Sequence, residues 1–253
     1  MSMKTTRTIL ITGASSGFGA ATATKLAHEG HTLILLARRK DRLESLQKAL
    51  ATETYIAPVD VSDKQQVAKF FEALPKKYRN IDVLINNAGL ARGMGTAQES
   101  KLEDWERMVD TNIKGLLYMT HPVLKIMTAR GTGHIINIGS VSGSIPYKGS
   151  NVYGATKAFV RQFSRNLRTD VFGQEIKITT VEPGMAETEF SEVRLGDKSQ
   201  AKTYYQGTRP LQAENIADAI VWVLDQPPHV NIDNIEIMSL DQTYGGTVIN
   251  RHA

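Results

Sequence analysis

Short runs of apolar and β-branched residues alternate with longer amphipathic stretches along the whole chain, and this alternation limits the possible folds more than any other feature. The runs predict strands at Thr8 to Thr12, Thr32 to Leu36, Thr54 to Pro58, Val83 to Asn86, His134 to Ile138, Lys177 to Val181 and Ile232 to Met238. Several runs are apolar with little alternation, which is typical of strands covered by helices on both faces. Each connection is long enough for a crossover helix, so the sequence predicts an α/β fold with a doubly wound parallel sheet of about seven strands.

No internal repeat, low-complexity tract or linker divides the 253 residues, so we expect a single domain over 1–253. The segment from Met185 to Pro210 has no clear helical or strand periodicity. Long loops inside compact domains are usually functional or disordered, and this one is predicted to be a mobile substrate flap at about 185–210. Near the middle of the chain, Ser100 followed by Glu103 predicts a capping box at the start of a helix.

Composition excludes several classes of function. Cysteine is absent, which excludes disulfides, thiolate nucleophiles and cysteine-based metal sites and fits a reducing compartment. The net charge is only +4 and basic residues are not clustered, so no nucleic-acid binding is expected. No apolar run approaches the ~20 residues of a membrane span, and no signal peptide is evident, so we expect a cytoplasmic protein. His28 and His31 lack the spacing of zinc ligands, and no metal is expected.

A glycine-rich turn connects the first predicted strand to the first predicted helix. The stretch TGASSGFG, Thr12 to Gly19, has glycines at positions 13, 17 and 19. Glycines let the backbone turn tightly and approach a diphosphate, and the following helix N-terminus offers free N–H groups with a partial positive charge. The spacing differs from the usual G-x-G-x-x-G, and an ordinary turn is the alternative. The place between a strand and a helix nevertheless favours a phosphate site.

Two arginines follow the second predicted strand. Enzymes that use NAD commonly have an acidic residue here for the ribose hydroxyls, whereas NADP needs a cation for its 2′-phosphate. This strand ends at Ala37, and the next residues are Arg38 and Arg39, whose guanidinium groups suit a phosphate. The alternative is two solvated cations at a helix start, where the helix dipole disfavours them. The pair therefore favours NADP.

Three further residues form a candidate catalytic group. Tyr153 and Lys157 are four residues apart, so on a helix they share one face. Ser140 follows the fifth predicted strand, at the edge where α/β sheets bind their ligands. A phenol has a pKa of about 10, and we expect the ammonium of Lys157 to lower the pKa of Tyr153 towards neutrality. Tyr-x-x-x-Lys alone is common on helix surfaces, but its position after this strand and after the glycine-rich turn favours catalysis.

Together these motifs resemble the short-chain dehydrogenase/reductase family, in the family's order and spacing over nearly the whole chain. The resemblance also rests on Asp60-Val61, NNAG at Asn86 to Gly89, Asn112 and Pro183-Gly184. It implies a Rossmann fold in which Tyr153 is the general acid/base and Ser140 orients the reacting carbonyl or hydroxyl group. It also implies that Lys157 holds the nicotinamide ribose and that Asn112 supports a proton relay, although a buried capping amide is the alternative for Asn112.

The same resemblance implies an NADP site in which Asp60 and Val61 flank the adenine and Thr188 contacts the carboxamide. The residues implied to bind the cofactor are Gly13, Ser15, Ser16, Gly17, Phe18, Gly19, Arg38, Arg39, Asp60, Val61, Asn87, Ala88, Gly89, Tyr153, Lys157, Pro183, Gly184 and Thr188. Plain turns are the alternative for NNAG and Pro183-Gly184.

Within the family, the stretches NVYGATKAFVRQFS and HVNIDNIEIM resemble bacterial NADP-dependent 3-hydroxy acid dehydrogenases. This implies a short hydroxy acid of the serine, allo-threonine or 3-hydroxypropionate type as substrate. The expected substrate-binding residues are Ser140, Tyr147, Met185 and Arg194. A substrate carboxylate needs a cation, which makes Arg194 the candidate, and a solvated loop arginine is the alternative.

Two other functions remain open. The same apparatus could serve a reductase of sugars, steroids or acyl thioesters, and the fold alone does not exclude a non-enzymatic NADP sensor. The family resemblance also implies a homo-oligomer, a dimer or tetramer, formed through the helices after the fourth and fifth strands. The stretch Ile113 to Leu124 and the face with Phe159 and Phe163 are compatible with that interface.

Overall fold

The computed structural model describes residues 6–244 and 249, without the side chains of residues 198 and 200–202. Seven parallel strands form one sheet in the order β3-β2-β1-β4-β5-β6-β7. They are β1 Thr8–Thr12, β2 Thr32–Ala37, β3 Thr54–Pro58, β4 Val83–Asn86, β5 Thr132–Ile138, β6 Glu175–Pro183 and β7 Asn234–Ile237. The predicted parallel α/β sheet is confirmed. β5 and β6 start two residues earlier than predicted, because the added ladder pairs include polar residues such as Glu175, which an apolar pattern does not mark.

Helices cover both faces of the sheet. They are α1 Gly17–His28, α2 Lys40–Ala49, α3 Lys64–Ala73, α4 Leu102–Val109, α5 Leu116–Arg130, α6 Asn151–Asp170, α7 Glu189–Leu195, α8 Lys198–Tyr205 and α9 Ala213–Leu224. A π-helical turn, Asp110–Gly115, joins α4 to α5. None of the helices in the described part of the chain combines the length and the apolar surface that a bilayer crossing demands.

The core has two halves, one on each face of the sheet. Side chains alternate along β1, so that Ile9 and Ile11 pack with α1, α2 and α9, whereas Leu10 packs with α3, α5 and α6. All three side chains are fully buried. The near-continuous apolar character of the central strands follows from this double coverage.

The predicted capping box at Ser100 and Glu103 is wrong. The helix α4 begins after Lys101 and has no side-chain cap, while the box forms one turn earlier, where the Thr96 N–H donates to Glu99 Oε2 over 2.9 Å. The Ser100 hydroxyl donates instead to the Thr96 carbonyl over 3.0 Å, so it is not directed at the start of α4. An equivalent pair four residues earlier, Thr96 and Glu99, forms the box instead and caps the short 3-10 turn Ala97–Glu99.

The segment predicted as an irregular flap contains the helices α7 and α8. Thr188 caps α7, since its Oγ1 accepts a hydrogen bond from the Phe190 N–H over 3.2 Å, and Gly196 ends it at a φ of +71°. Phe190 and Val193 line a cavity rather than the main core. Because these helices are only two turns long and face that cavity, they carry no clear amphipathic period.

Candidate active site

The predicted site residues meet in one cavity at the carboxyl ends of the strands β1 to β6. The cavity lining includes Gly13, Ser15, Ser16, Gly17, Phe18, Arg38, Arg39, Asp60, Val61, Asn87, Ala88, Gly89, Ser140, Tyr147, Tyr153, Lys157, Pro183, Gly184, Met185, Thr188 and Arg194. Of the predicted residues, Gly19 and Asn112 lie behind this lining. Parallel strands place such a crevice where the strand order reverses, here between β1 and β4.

The glycine-rich turn forms the floor of one half of the cavity. Gly13 and Gly17 have φ values of +66° and +52°, which only glycine adopts without strain. A Cβ on Gly19 would lie 2.6 Å from Asn87 Nδ2, whose N–H groups donate to the carbonyls of Thr12 at 2.9 Å and Gly13 at 3.2 Å. The helix α1 starts without a side-chain cap. Its first N–H groups therefore point at the cavity as an anion site, which fits a dinucleotide diphosphate.

Arg39 lies at the rim of the same half. Its guanidinium donates to the Ser16 hydroxyl at 2.8 Å and to the Ser15 hydroxyl at 3.2 and 3.3 Å. Its third nitrogen, Nη1, donates to Glu189 Oε2 over 3.0 Å, and Glu189 Oε1 accepts a hydrogen bond from Arg42 Nη1. Arg38 is exposed and also lines the cavity. This cationic rim, with two hydroxyls and no carboxylate on β2, fits a 2′-phosphate.

Asp60 also lines the cavity. Its Oδ1 accepts hydrogen bonds from the Ser62 N–H at 3.0 Å and the Ser62 hydroxyl at 2.6 Å, and Oδ2 lies 3.2 Å from Arg107. Partial burial acts to raise the pKa of Asp60, but these hydrogen bonds and the charge of Arg107 outweigh it and lower the pKa. The carboxylate is therefore ionised and fixed by its own neighbours.

Ser140, Tyr153 and Lys157 form the inner end of the cavity, with exposures of 8%, 8% and 6%. Ser140 follows β5 and starts a single helical turn, Val141–Gly143. This turn packs directly on α6, because a Cβ on Gly143 would lie 2.8 Å from the Lys157 carbonyl carbon. Ser142 donates its hydroxyl to Ser140 Oγ over 2.8 Å. The packing joins the end of β5 to the face of α6 that carries the tyrosine and the lysine.

Burial dominates the protonation of Tyr153. It raises the pKa of the phenol to about 12, while hydrogen bonds with Ser140 and Ser142 and the charge of Arg194 act in the opposite direction. The predicted lowering by Lys157 is wrong in this geometry. Lys157 Nζ lies 5.9 Å from the centre of the Tyr153 ring and donates to the Ile138 carbonyl over 2.7 Å.

Lys157 is itself buried, and loss of solvation lowers its pKa to about 8, against the attraction of Glu182. An ammonium of this kind is more acidic than a surface lysine but still mostly charged near neutral pH. It supplies positive charge and hydrogen-bond donors to the inner end of the cavity.

Asn112 lies in the π-helical turn and braces the wall behind Lys157. Its Oδ1 accepts from the Leu90 N–H at 2.9 Å, and its Nδ2 donates to the Leu90 carbonyl at 2.8 Å and to Thr156 Oγ1 at 3.0 Å. These hydrogen bonds fix the side chain as a buried amide, and the proton-relay role of Asn112 stays a prediction.

Arg194, on α7, reaches the inner end of the cavity. Its guanidinium carbon lies 5.5 Å from the centre of the Tyr153 ring, and Nη1 donates to the Tyr147 hydroxyl over 3.0 Å. Nε donates to the Gly93 carbonyl at 3.3 Å. Nη2 is buried and has no hydrogen-bond acceptor among the residues that the structure describes. A buried donor without an acceptor is costly, so a shift of the side chain that brings this nitrogen to an oxygen of a ligand would be favourable.

The sequence analysis did not identify three residues that line the cavity or contact its rim, namely Ser142, Glu189 and Arg42. Ser142 was not distinguished from its neighbours, although it orients Ser140. Arg42 and Glu189 were also missed, although the pattern R-R-x-x-R places Arg39 and Arg42 three residues apart at a helix start. No local pattern could have indicated Glu189, because it lies about 150 residues away from both arginines along the chain.

Comparisons with known proteins find similar sequences and structures. Residues 7–198 match the family model for short chain dehydrogenase. The NADP-dependent 3-hydroxy acid dehydrogenase YdfG of Escherichia coli K12 is 49% identical over 245 residues, which cover 96% of this chain and 99% of that protein. The serine 3-dehydrogenase of Agrobacterium fabrum C58 is 45% identical over 247 residues, which cover 97% of this chain and 99% of that protein.

Solved structures of similar proteins share the whole fold. The closed form of serine dehydrogenase complexed with NADP+ has a TM-score of 0.93 at 48% identity and covers 96% of this chain and 99% of its own. The crystal structure of serine dehydrogenase from Escherichia coli has a TM-score of 0.83 at 44% identity, covering 94% and 100%.

Proposed function

Since the chain belongs to the short-chain dehydrogenase family, we propose that it is an NADP-dependent oxidoreductase acting on short 3-hydroxy acids. The substrates are of the serine, allo-threonine and 3-hydroxypropionate/malonic semialdehyde type. The observation that carries the proposal is the meeting of Ser140, Tyr153 and Lys157 with the glycine-rich turn in one cavity. A proton-transfer group and a dinucleotide-binding loop thus face the same space.

NADP(H) would lie along the cavity, with its 2′-phosphate at Arg38, Arg39 and the Ser15 and Ser16 hydroxyls. The diphosphate would lie on the first N–H groups of α1. The adenine would lie near Asp60 and Val61, and Lys157 would hold the nicotinamide ribose. When bound, the nicotinamide supplies or accepts the hydride.

Tyr153 is the proton donor in reduction. Because burial raises its pKa to about 12, the phenol carries its proton at neutral pH. A developing alkoxide would take that proton, while Ser140 holds the reacting oxygen and Ser142 holds Ser140. In oxidation the phenolate takes the hydroxyl proton of the substrate. Hydrogen bonds with Ser140 and Ser142 and the charge of Arg194, which act to lower the pKa of Tyr153, favour that form.

Arg194 is the proposed carboxylate clamp. In a 3-hydroxy acid the carboxylate is two carbons from the hydroxyl carbon. The residue that binds the carboxylate must therefore lie within a few ångströms of the residues that bind the hydroxyl group. The buried Nη2 of Arg194 lacks an acceptor among the described residues and lies close to Tyr153. Tyr147 and Met185 line the space beside it. A charge-assisted hydrogen bond there would orient the hydroxyl carbon towards Tyr153.

We also propose that the protein works in the cytoplasm as a homo-oligomer, a dimer or tetramer, through α5 and α6. In support, Phe159 and Phe163 stack side by side on α6 with ring centres 5.6 Å apart, and both remain partly exposed. Analytical ultracentrifugation of the purified protein measures its oligomeric state directly.

A substrate panel tests the function. With NADP+, we expect turnover of serine, allo-threonine, 3-hydroxypropionate or 3-hydroxyisobutyrate to exceed that of simple secondary alcohols by at least tenfold in kcat/KM, about what one charged hydrogen bond supplies. NADPH consumption with malonic semialdehyde, a ketose and a bulky ketone measures the reverse reaction. Faster reduction of the ketose or the bulky ketone would identify another carbonyl reductase, and no turnover with any of them would favour a cofactor sensor.

A further inference from the structure

The carboxylate of Glu189 lies between two arginines of the cofactor rim. Its Oε2 lies 3.0 Å from Arg39 Nη1, and its Oε1 forms a second ion pair with Arg42 Nη1. Partial burial acts to raise the pKa of Glu189, but the hydrogen bonds and charges of Arg42 and Arg39 outweigh it and lower the pKa. Glu189 is therefore ionised at neutral pH and occupies the rim as an anion.

Arg39 has little capacity left for a second anion. Nε and Nη2 already donate to Ser15 and Ser16, and Nη1 faces Glu189. The proposed function assigns the 2′-phosphate to Arg39 together with Arg38, Ser15 and Ser16, so the phosphate needs donors that Arg39 already uses. A dianionic phosphate is the stronger partner for a guanidinium, because it carries more charge and offers more acceptor oxygens. The flap carboxylate and the phosphate would thus compete for one arginine.

Thr188, the residue before Glu189, shows that these ion pairs hold the first turn of α7 in place. Thr188 lies against the glycine-rich turn, since a Cβ on Gly17 would be 3.5 Å from Thr188 Cβ. The first turn of α7 therefore bridges from the arginines to the floor of the cofactor half, and both Thr188 and Glu189 line the cavity. We call residues 188–190 the strap.

We propose that Glu189 is a specificity-determining residue for the cofactor. Its carboxylate fastens the strap to Arg39 and Arg42, and the 2′-phosphate of NADP(H) displaces it from Arg39. The ribose hydroxyl of NAD(H) is uncharged and does not displace it. The inference rests on the proposed function, because it requires a phosphorylated dinucleotide in this cavity.

Direct binding measurements test this inference without relying on turnover. Dissociation constants for NADPH and NADH are measured by nicotinamide fluorescence at low ionic strength, where exposed charges are least screened. In Glu189→Gln we expect NADPH to bind about fivefold tighter, since one negative charge no longer competes with the phosphate. NADH should bind within about twofold of the wild type, which also shows that the variant is folded.

A matched control is Glu44→Gln. It removes the same charge from α2, two residues from Arg42, where Glu44 pairs with Lys40 at 3.4 Å instead of facing the cavity. Both dissociation constants should stay within about twofold there. In an Arg39→Gln background, the gain from Glu189→Gln should disappear, because the shared partner is gone.

Three outcomes would overturn the inference. Weaker NADPH binding in Glu189→Gln would mean that the carboxylate positions the arginines for the phosphate. Equal tightening of NADPH and NADH would mean that the strap acts without recognising the phosphate, and persistence of the gain without Arg39 would exclude competition for that residue. A wild-type protein that binds NADPH no better than NADH would instead contradict the proposed function itself.

Discussion

The two ends of the cavity are built by different means. At the inner end, Ser140, Tyr153 and Lys157 are at most 8% exposed and are fixed by backbone packing between the end of β5 and α6. At the rim, the side chains of Arg39 and Arg42 are 41% and 42% exposed, and that of Glu189 is 38% exposed. The inner end depends on the core of the fold, whereas the rim depends on charges that two distant segments bring together.

This difference determines what each end can do. Burial moves the pKa of Tyr153 up to about 12 and that of Lys157 down to about 8, so the inner end controls protons. At the rim, solvent screens each ion pair, and an exposed pair contributes little to stability. The rim can therefore exchange partners at low cost, which suits recognition of a ligand, and changes there should affect affinity and its salt dependence more than rate.

The largest expected effect is at the inner end, in Tyr153→Phe. The phenylalanine keeps the ring contact with Phe190, whose ring centre is 5.7 Å away, but has no proton to transfer. We expect kcat to fall by about 10²–10⁴ while the dissociation constant of NADPH stays within about threefold. Steady-state kinetics and fluorescence titration measure the two quantities. Tyr118→Phe, on α5, is the control, and near-normal turnover in Tyr153→Phe would exclude the acid/base role.

The helix α7 connects the two ends of the cavity, because it carries Glu189 at the rim and Arg194 beside Tyr153. In Arg194→Gln we expect KM for a 3-hydroxy acid to rise about 10–100-fold, the value of a charge-assisted hydrogen bond. KM for a neutral secondary alcohol should change by less than about threefold, since it has no carboxylate to bind. Initial-rate kinetics with both substrates give the comparison.

The control for Arg194 is Arg92→Gln. Arg92 is exposed and donates to the Val193 carbonyl at 3.4 Å, so it touches the same helix without lining the cavity. Equal increases in KM for the acid and the alcohol in Arg194→Gln would show that the arginine holds the flap rather than the substrate.

The sequence predicted the inner end better than the rim for a physical reason. Tyr153 and Lys157 lie on one helix face, and Ser140 follows a strand that its apolar pattern marks, so local rules place them. Glu189 meets Arg39 only because the chain fold brings the strap to the start of α2, and no local rule predicts that contact. The raised pKa of Tyr153 could not be predicted from the sequence either, because it depends on burial and on the 5.9 Å between Lys157 Nζ and the ring centre.

Ser142 gives the smallest predicted effect and tests how rigid the inner end is. It donates to Ser140 Oγ at 2.8 Å, and Ser140 in turn lies 3.4 Å from the Pro183 carbonyl. Without the Ser142 hydroxyl, Ser140 Oγ keeps the hydrogen bond from the Ser142 N–H at 3.2 Å but loses the shorter one from the hydroxyl. Tyr153 also loses a hydrogen bond that acts to lower its pKa. In Ser142→Ala we expect kcat to fall about fivefold, the value of one neutral hydrogen bond, with NADPH affinity unchanged.

Ser144→Ala provides the comparison for Ser142, because Ser144 lies in the same turn and its hydroxyl donates to the Val141 carbonyl at 3.3 Å, away from Ser140. A merely structural role for Ser142 would lower thermal stability and affect kcat and KM together. A positioning role lowers kcat alone, and Ser142→Thr, which retains a hydroxyl, should restore most of it. If kcat is unchanged in Ser142→Ala, backbone packing alone is sufficient to orient Ser140, and the inner end is more rigid than its hydrogen bonds indicate.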